Sequence, residues 1–380
     1  MRSFPSSLAW IFLALLGCGD SGETTTTSSS GGGSTGTTTS ASGGSGVGGG
    51  ASVGGSGGEV PTELVHRVGR FDDSNPAMPA FTWSETTLST TVDCGELSVD
   101  LDGAADVFFQ VVVDGAPTSV FKTDGGPTTY SLLTGASAGP HVVEIHRRNE
   151  GFFGAVKFVG FLPGTDCTLV PTPSPYKHTM EFIGDSITCG YGVEGPDANC
   201  DFSGDTESAY ETYAAIAARN VGAAANLVAY SGKGVYQNYG GDMTELMPEL
   251  WLRTLTDDGG PTWDFSTFTP EAVVINLGTN DFSVAVDGAA FIDAYVDLLT
   301  AVRMHYPAAA IFAVRWAHWG ATNEGYVSSA VTQLGDANVH EIEFAIESAD
   351  GFGCDYHPSL VTHQKLGAQL TQTLHDTLGW

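Results

Sequence analysis

A short apolar run that ends in a glycine-rich turn is the feature that most constrains the fold of this sequence. Residues Met180 to Ile183 are typical of a short buried strand, and Gly184 and Asp185 break it. Ser186 follows on the turn. A hydroxyl on a tight turn at a strand end is exposed, and backbone N–H groups nearby can hold an oxyanion. This motif alone is more typical of an ordinary serine in a glycine-rich loop than of a catalytic one.

Two later segments favour a catalytic role for this serine. Residues 272–277 form an apolar run typical of a buried parallel strand, and the turn after it contains Asn280. The carboxyl ends of strands in a doubly wound sheet share one edge, so Ser186 and Asn280 should face the same crevice. An amide side chain there can donate to an oxyanion. His357, in a loop before an amphipathic helix, is placed to serve as general base.

Together these segments resemble the SGNH (GDSL-type) hydrolase superfamily, in which Ser, Gly, Asn and His come from four separate blocks. The resemblance covers about residues 178 to 380 and identifies Gly232 as the remaining member, with Gly234 as the alternative. It implies an oxyanion hole made of the Ser186 and Gly232 N–H groups and the Asn280 amide. The segments GDSITCGYGVEG, SGKGVYQNYGG, LGTNDFS and CDYHPS are also similar to carbohydrate esterase family 2, whose members remove acetyl groups from plant-wall polysaccharides.

The last block departs from the usual superfamily pattern, Asp-x-x-His. Cys354 stands three residues before His357, and the only nearby acid is Asp355, two residues away. The resemblance therefore implies a dyad of Ser186 and His357, with a main-chain carbonyl orienting the imidazole. Asp355 remains a possible third member.

Two folded domains are expected, because residues 60 to 380 are too many for one domain of ordinary size. From 176 to 380, helical periodicity alternates with buried-strand runs, which predicts a three-layer α/β/α hydrolase domain with a parallel sheet. The helices are expected at 209–221, 291–304 and 360–378, and further strands at 225–229, 309–316 and 341–345.

Residues 60–172 instead contain β-branched and aromatic runs separated by Asp-Gly and Gly-Pro turns, typical of an all-β sandwich. The esterase family also carries a small, jelly-roll-like sandwich before its hydrolase domain, and the segment around Arg70 and Phe71 is similar to it. We assign Trp83 to core or domain-interface packing rather than to a sugar platform. Residues 172–175, Thr-Pro-Ser-Pro, should form a stiff linker.

The first 59 residues indicate export. Residues 1–18 combine Arg2 with an apolar run too short to span a bilayer, and Leu-Leu-Gly-Cys resembles a bacterial lipobox ending at Cys18. Cys18 would then be acylated and anchor the mature chain at the bacterial cell surface or in the periplasm, unless this is a plain signal peptide. Residues 19–59, almost all Gly, Ser and Thr, should form a flexible tether.

Charge limits the possible partners. The formal net charge is −30, which argues against nucleic acid and disfavours strongly acidic polymers. We therefore expect a neutral acetylated polysaccharide as substrate, no protein partner, and membrane contact only through the lipid anchor. No CxxC or HExxH spacing is present, so neither a metal nor another cofactor is expected.

Excluding Cys18, five cysteines remain, and export permits disulfides. Pairing Cys94 with Cys167 would lie within the first domain, and pairing Cys200 with Cys354 would brace two active-site loops. Cys189 would then be free. Spacing alone cannot fix this connectivity.

The function expected from the sequence is a serine esterase that deacetylates acetylxylan or acetylated glucomannan through an acetyl-enzyme on Ser186. Two alternatives remain: a non-catalytic carbohydrate-binding surface protein, and an esterase for another ester such as O-acetylated peptidoglycan or lipid. Trp316 and Trp319 could line a sugar subsite, although core packing explains Trp316 equally well.

Overall fold

The computed structural model describes residues 62–257 and 260–380. The predicted signal peptide, Cys18 and the tether lie outside the described residues. Within the described ranges, none of the helices has the length and apolar character needed to traverse a bilayer.

An all-β sandwich forms the first domain, as predicted. Its described residues form the strands β1 (Thr62–Glu63), β2 (His66–Val68), β3 (Ala80–Phe81), β4 (Thr87–Asp93), β5 (Leu97–Gly103), β6 (Ala105–Val113), β7 (Ala116–Asp124), β8 (Thr128–Leu133), β9 (Pro140–Arg147), β10 (Val156–Pro163), β11 (Leu169–Val170) and β12 (Thr172–Pro173). Antiparallel strands build one sheet in the order β3-β10-β5-β8 and a second in the order β11-β4-β9-β6-β7, with β2 also paired to β4.

Side chains that alternate inward from the two sheets fill one shared core. Val99 and Leu101 of β5 and Val156 of β10 come from the first sheet, and Phe109 and Ile145 from the second. Alternation between core and solvent is the pattern expected where two sheets pack face to face. The start of the predicted linker is itself β-structure, because β12 pairs with β1.

A parallel sheet between helices forms the second domain, which confirms the three-layer prediction. The elements are β13 (His178–Gly184), α1 (Ser186–Cys189), α2 (Tyr213–Val221), β14 (Ala223–Ala229), α3 (Met247–Leu250), β15 (Ala272–Asn276), α4 (Gly288–His305), β16 (Ala310–Trp316), α5 (Ala321–Leu334), β17 (Val339–Phe344) and α6 (Leu360–Leu378). The strand order is β14-β13-β15-β16-β17, so β14 lies on one side of β13 and the later strands lie on the other.

Both faces of this sheet are buried, which explains why its central strands read as continuous apolar runs. Helices α2 and α6 cover one face, and α4 and α5 cover the other. Ligands of open α/β sheets bind at the carboxyl ends of strands where the strand order reverses. Here that position lies beyond the ends of β13 and β15, which carry the Ser186 and Asn280 turns.

The second helix is shorter than predicted. Residues Ala209–Glu211 form a separate 3₁₀ turn, and Thr212 has extended backbone angles. The Thr212 side chain caps α2 by accepting a hydrogen bond from the Ala215 N–H at 3.4 Å. The prediction of a helix from 209 was therefore wrong by about one turn, because the alanine-rich pattern continues across the capping residue.

Buried polar contacts join the two domains. Trp83 is fully buried and donates from Nε1 to the Thr254 carbonyl at 2.9 Å, as expected for interface packing. Arg70 donates to the Arg253 carbonyl at 2.8 Å and to the Glu181 carboxylate at 3.2 Å. Segment 66–86 of the sandwich is therefore fixed against the hydrolase sheet.

Candidate active site

The serine turn is built by close backbone packing at the end of β13. A Cβ atom on Gly184 would lie 2.1 Å from Thr188 Oγ1, so only glycine fits there. Asp185 caps the short helix α1 by accepting from the Ile187 N–H at 3.1 Å, and burial raises the pKa of this carboxyl to about 7. Ser186 is thus the first residue of α1, at the carboxyl edge of the sheet.

His357 meets this serine directly. Its Nε2 lies 2.8 Å from Ser186 Oγ, and its Nδ1 lies 3.2 Å from the Asp355 carbonyl oxygen. A carbonyl can only accept, so the Nδ1 atom carries the proton and Nε2 presents a lone pair to the serine hydroxyl. This is the tautomer that a general base requires.

The loop that carries His357 has an unusual backbone. Asp355 and Tyr356 have φ values of 51° and 60°, in the left-handed region that few non-glycine residues occupy. The Cys200–Cys354 disulfide ties the start of this loop to another loop, and the Cys354 N–H donates to the Gly192 carbonyl at 3.0 Å. These ties hold the Asp355 carbonyl beside the imidazole.

The Asp355 carboxylate does not contact the imidazole. It accepts a hydrogen bond from Tyr191 Oη at 2.8 Å. The Tyr191 ring in turn stacks on the His357 ring, with centroids 4.2 Å apart. Burial under this ring and the surrounding loops lowers the pKa of His357 to about 4, against smaller upward effects of the Asp355 carbonyl and carboxylate. The base is therefore neutral at physiological pH.

Gly232 lies in the turn after β14 with φ of 79°, and the space where a Cβ would lie is open. Among residues 62–257 and 260–380, neither its N–H nor that of Ser186 donates to a protein acceptor. The Gly234 N–H is different, because it donates to Asn238 Oδ1 at 3.1 Å. Of the two glycines considered from sequence, Gly232 is therefore the one with a free donor.

Asn280 bridges the serine turn and the glycine turn. Its Nδ2 donates to the Lys233 carbonyl at 2.8 Å and to Asp185 Oδ2 at 3.3 Å. Both amide hydrogens thus face protein acceptors. To donate to an oxyanion, Asn280 must share or exchange the longer of these bonds, the one to Asp185.

The next residue, Asp281, holds the loop that follows Gly232. Its carboxylate accepts the N–H groups of Val235, Tyr236 and Gln237 at 3.1, 2.8 and 2.9 Å. Asp281 was not among the site residues predicted from the sequence. Its position directly after Asn280, in the turn that follows an apolar strand, is the only sequence signal that it offers.

Comparison with known proteins agrees with this architecture. Residues 67–173 match the family model for the carbohydrate esterase 2 N-terminal domain, and residues 182–365 match the GDSL-like lipase/acylhydrolase family. A solved family two carbohydrate esterase from Clostridium thermocellum, in complex with cellohexaose, is 38% identical with a TM-score of 0.79. The alignment covers 83% of this chain and 99% of that one. The chain belongs to carbohydrate esterase family 2.

Two curated members of this family are also similar in sequence. The cellulase/esterase CelE of Acetivibrio thermocellus is 39% identical over 321 residues, which are 82% of this chain but only 39% of CelE. An acetylxylan esterase / glucomannan deacetylase of Cellvibrio japonicus is 27% identical over 327 residues, covering 82% of this chain and 88% of the relative.

Both disulfides considered for this family 2 chain, Cys94–Cys167 and Cys200–Cys354, are present, and Cys189 is free and buried. Trp316 packs in the core, where its Nε1 donates to Asn276 Oδ1 at 2.8 Å, so it does not line a sugar subsite.

Other aromatic residues of this family 2 chain are partly or largely exposed. Trp319 is only partly buried and lies over the turn before Asn280, donating to Thr279 Oγ1 at 3.3 Å. Tyr356, directly before His357, is 43% exposed, and Phe152 of the sandwich is 46% exposed beside Tyr230. The exposed ring of Tyr356, directly before His357 in the chain, is suited to pack against a sugar ring.

Proposed function

We propose that this protein is a serine esterase that removes O-acetyl groups from plant-wall polysaccharides, with Ser186 as nucleophile and His357 as general base. The observation that carries the proposal is the pair of contacts made by the imidazole, 2.8 Å to Ser186 Oγ and 3.2 Å to the Asp355 carbonyl. In this arrangement the Nε2 lone pair of His357 points at the serine hydroxyl, and the Nδ1 proton points at the Asp355 carbonyl. The imidazole is thus oriented by a backbone carbonyl and not by a carboxylate.

In the first half of the reaction, Ser186 Oγ attacks the acetyl carbonyl carbon while His357 Nε2 takes the hydroxyl proton. The carbonyl oxygen becomes an oxyanion, which the Ser186 and Gly232 N–H groups and the Asn280 amide hold. The bond from carbon to the sugar oxygen then breaks. His357 gives its proton to that oxygen, so a free sugar hydroxyl leaves and an acetyl-enzyme remains.

In the second half, water takes the place of the sugar. His357 removes a proton from the water as it attacks the acetyl carbon, and the same donors hold the second oxyanion. The bond to Ser186 Oγ breaks, the proton returns to the serine, and acetate leaves. No residue other than the dyad is needed as a proton carrier.

The substrate class is inferred from relatives and from charge. The Cellvibrio japonicus relative is an acetylxylan esterase / glucomannan deacetylase, and the Clostridium thermocellum structure contains cellohexaose. A net charge of −30 disfavours acidic polymers, and the exposed Tyr356 ring beside His357 suits a neutral sugar. We therefore infer acetylated xylan and glucomannan as substrates.

The test is acetate release from acetylated xylan and acetylated glucomannan by residues 60–380. Ser186→Ala and His357→Ala proteins, checked for folding, are the controls. Release that disappears in both variants supports the esterase. A folded wild-type protein that binds these glycans but releases no acetate would favour the carbohydrate-binding alternative. Release of acetate from O-acetylated peptidoglycan alone would mean that peptidoglycan, and not a plant-wall polysaccharide, is the substrate.

We also propose that Cys18 anchors the enzyme to a bacterial membrane, with residues 19–59 as a tether that lets it reach polymeric substrate. Support comes from the apolar run and lipobox-like sequence before Cys18. Metabolic labelling with an alkyne fatty acid should mark the full chain, whereas Cys18→Ser should remain unlabelled. Equal labelling of both proteins would disprove the anchor.

A further inference from the structure

A buried pair of acids lies behind the turn that carries Gly232. Glu150, contributed by the sandwich, and Glu207, from the hydrolase domain, are both fully buried. Ligand atoms of these two carboxyls and of the Cys189 thiol lie within 4.8 Å of one another. The mechanism above uses none of these three groups.

Glu150 is fully engaged by the neighbouring turn. Its Oε2 accepts from the Ser231 N–H at 2.7 Å and from Cys189 Sγ at 3.6 Å, and its Oε1 accepts from the Ser231 hydroxyl. Arg147 fixes the backbone behind it by donating to the Asn149 and Glu150 carbonyls, each at 2.9 Å. The Glu150 carboxylate is thus a rigid acceptor supplied by the first domain.

Glu207 is the second buried acid, next to the Glu150 carboxyl. Neither of its two oxygens has a hydrogen-bond partner of good geometry within the described part of the chain, and the charged groups that act on them are Glu150 and Arg147. Two buried carboxyls this close disfavour each other's ionisation. Burial, and then the charge of Glu150, raise the pKa of Glu207 well above its usual range. Burial raises the pKa of Glu150 as well, so a proton on Glu207 leaves the charge of the pair with Glu150.

This arrangement acts on the next peptide unit of the turn. With both the N–H and the hydroxyl of Ser231 bound to Glu150, the φ angle and side-chain torsion of Ser231 are fixed. The next N–H along the chain is that of Gly232. Apart from its own atoms and those of its two chain neighbours, no heavy atom lies within 4 Å of the position that a Cβ of Gly232 would occupy. The Lys233 N–H closes the turn on the Tyr230 carbonyl at 3.3 Å and the Tyr239 N–H donates to the Gly232 carbonyl at 2.8 Å, so the direction of the Gly232 N–H is set by these bonds together with the Ser231 contacts to Glu150.

We propose that Glu150 is a positioning residue for the oxyanion hole, and that it acts by holding both the N–H and the hydroxyl of Ser231. The sandwich domain is then part of the catalytic arrangement. This inference rests on the proposed function, because it assigns the Gly232 N–H to the oxyanion.

The experiment measures how fast Ser186 reacts with a fluorophosphonate, followed by intact mass, in protein whose folded fraction is known from thermal unfolding. In this reaction Ser186 Oγ bonds to phosphorus, fluoride leaves, His357 takes the hydroxyl proton, and the phosphoryl oxygen occupies the oxyanion hole. Misplacement of about 1 Å in such a site costs about 100-fold. We expect a loss of about this size for Glu150→Ala, with kcat for acetate release falling in parallel and KM little changed.

Isosteric variants separate positioning from stability. Glu150→Gln leaves one acceptor oxygen where two served, so it should also react slowly. Glu181→Gln is the matched control, since Glu181 is equally buried but contacts Arg70 and Trp251 away from the turn. It should lower stability without slowing the folded enzyme.

A wild-type rate per folded molecule in Glu150→Ala would overturn the inference. If that protein does not fold, Glu150→Gln decides in its place, and a rate equal to that of Glu181→Gln overturns the inference. Since the fluorophosphonate needs no ester substrate, the inference is tested even when no glycan is deacetylated. A wild-type protein that does not react at all would overturn both the inference and the proposed function.

Discussion

The two sides of the active site are held in place by different physical means. On the base side, backbone hydrogen bonds, the Cys200–Cys354 disulfide and the stacked Tyr191 ring position His357. On the oxyanion side, buried carboxylates do the positioning. Asp281 accepts three N–H groups of the loop after Gly232, and Glu150 accepts both donors of Ser231.

The difference follows from what each side must present. A general base must be neutral before reaction, and a carboxylate against Nδ1 would raise its pKa. A carbonyl fixes the same tautomer with less charge, so that burial lowers the pKa of His357 to about 4. The oxyanion side must hold loops whose N–H groups point in a defined direction. Carboxylates suit this task because they only accept hydrogen bonds.

The largest effect should come from removing the base itself. Without His357 the Ser186 hydroxyl keeps its proton, and loss of such a group costs about 10,000-fold or more in kcat. His357→Ala and Ser186→Ala should therefore be equally inactive, and the double variant no worse. Acetate release by the folded proteins measures this. Activity of His357→Ala within tenfold of wild type would mean that another group acts as the base.

On the oxyanion side, Asn280→Ala should be the most damaging substitution. Loss of one oxyanion donor typically costs about 100- to 1,000-fold in turnover, less than loss of the base. Steady-state kinetics should show the loss in kcat, with unfolding little changed. Thr279→Ala is the neighbouring control, because Thr279 contacts Trp319 and no group of the dyad. Equal losses in both variants would remove Asn280 from the oxyanion hole.

The two disulfides allow a matched test of how the base side is held. Cys200→Ser/Cys354→Ser releases the loop that aims the Asp355 carbonyl, whereas Cys94→Ser/Cys167→Ser opens a bond within the sandwich. Each pair should cost about 2–5 kcal/mol in the free energy of unfolding. Only the first pair should also lower kcat of the folded enzyme. Equal kcat values in both would show that the loop backbone is held without the disulfide.

The pH dependence should report the neutral base. With a pKa of about 4, instead of 6.5, His357 stays unprotonated well into the acid range. We therefore expect kcat/KM to remain level as pH falls below 6.5 and to decline only as pH approaches about 4. Between about pH 6.5 and 4, the unfolded state binds more protons than the folded state because of this shift. The free energy of unfolding should therefore decrease as pH is lowered through this range. A decline in kcat/KM centred near 6.5 would contradict the assignment.

Much of the fold could be predicted from local pattern. The almost fully buried strand β13 and the fully buried strand β15 contain the predicted apolar runs, and α6 has the predicted bounds, 360–378. Helix α5 was missed because its glycine, serines and threonines have weak helix propensity, and tertiary packing decides its state. Strand β7 was missed because it lies at the sheet edge with mostly exposed side chains, so no alternation marks it.

The active site, too, has residues that could be predicted from the sequence and residues that could not. Residues at strand ends could be placed together, because topology brings the carboxyl ends of β13 and β15 to one edge. Glu150 could not, since it lies 81 residues before Ser231 and in the other domain. Nothing in the sequence around it indicates a partner. Contacts made by one buried side chain across a domain interface have no periodicity from which to infer them.

The smallest effect should come from Asp355→Asn, which decides between dyad and triad. An asparagine tolerates the left-handed backbone, still accepts from Tyr191, and leaves the carbonyl on His357 Nδ1 unchanged. In a triad, the same substitution costs about 10,000-fold because the base takes the wrong tautomer. Here kcat should fall less than about tenfold, because the lost charge only shifts the pKa of His357 slightly further down. A loss near the triad value would mean that the carboxylate, and not the backbone, orients the base.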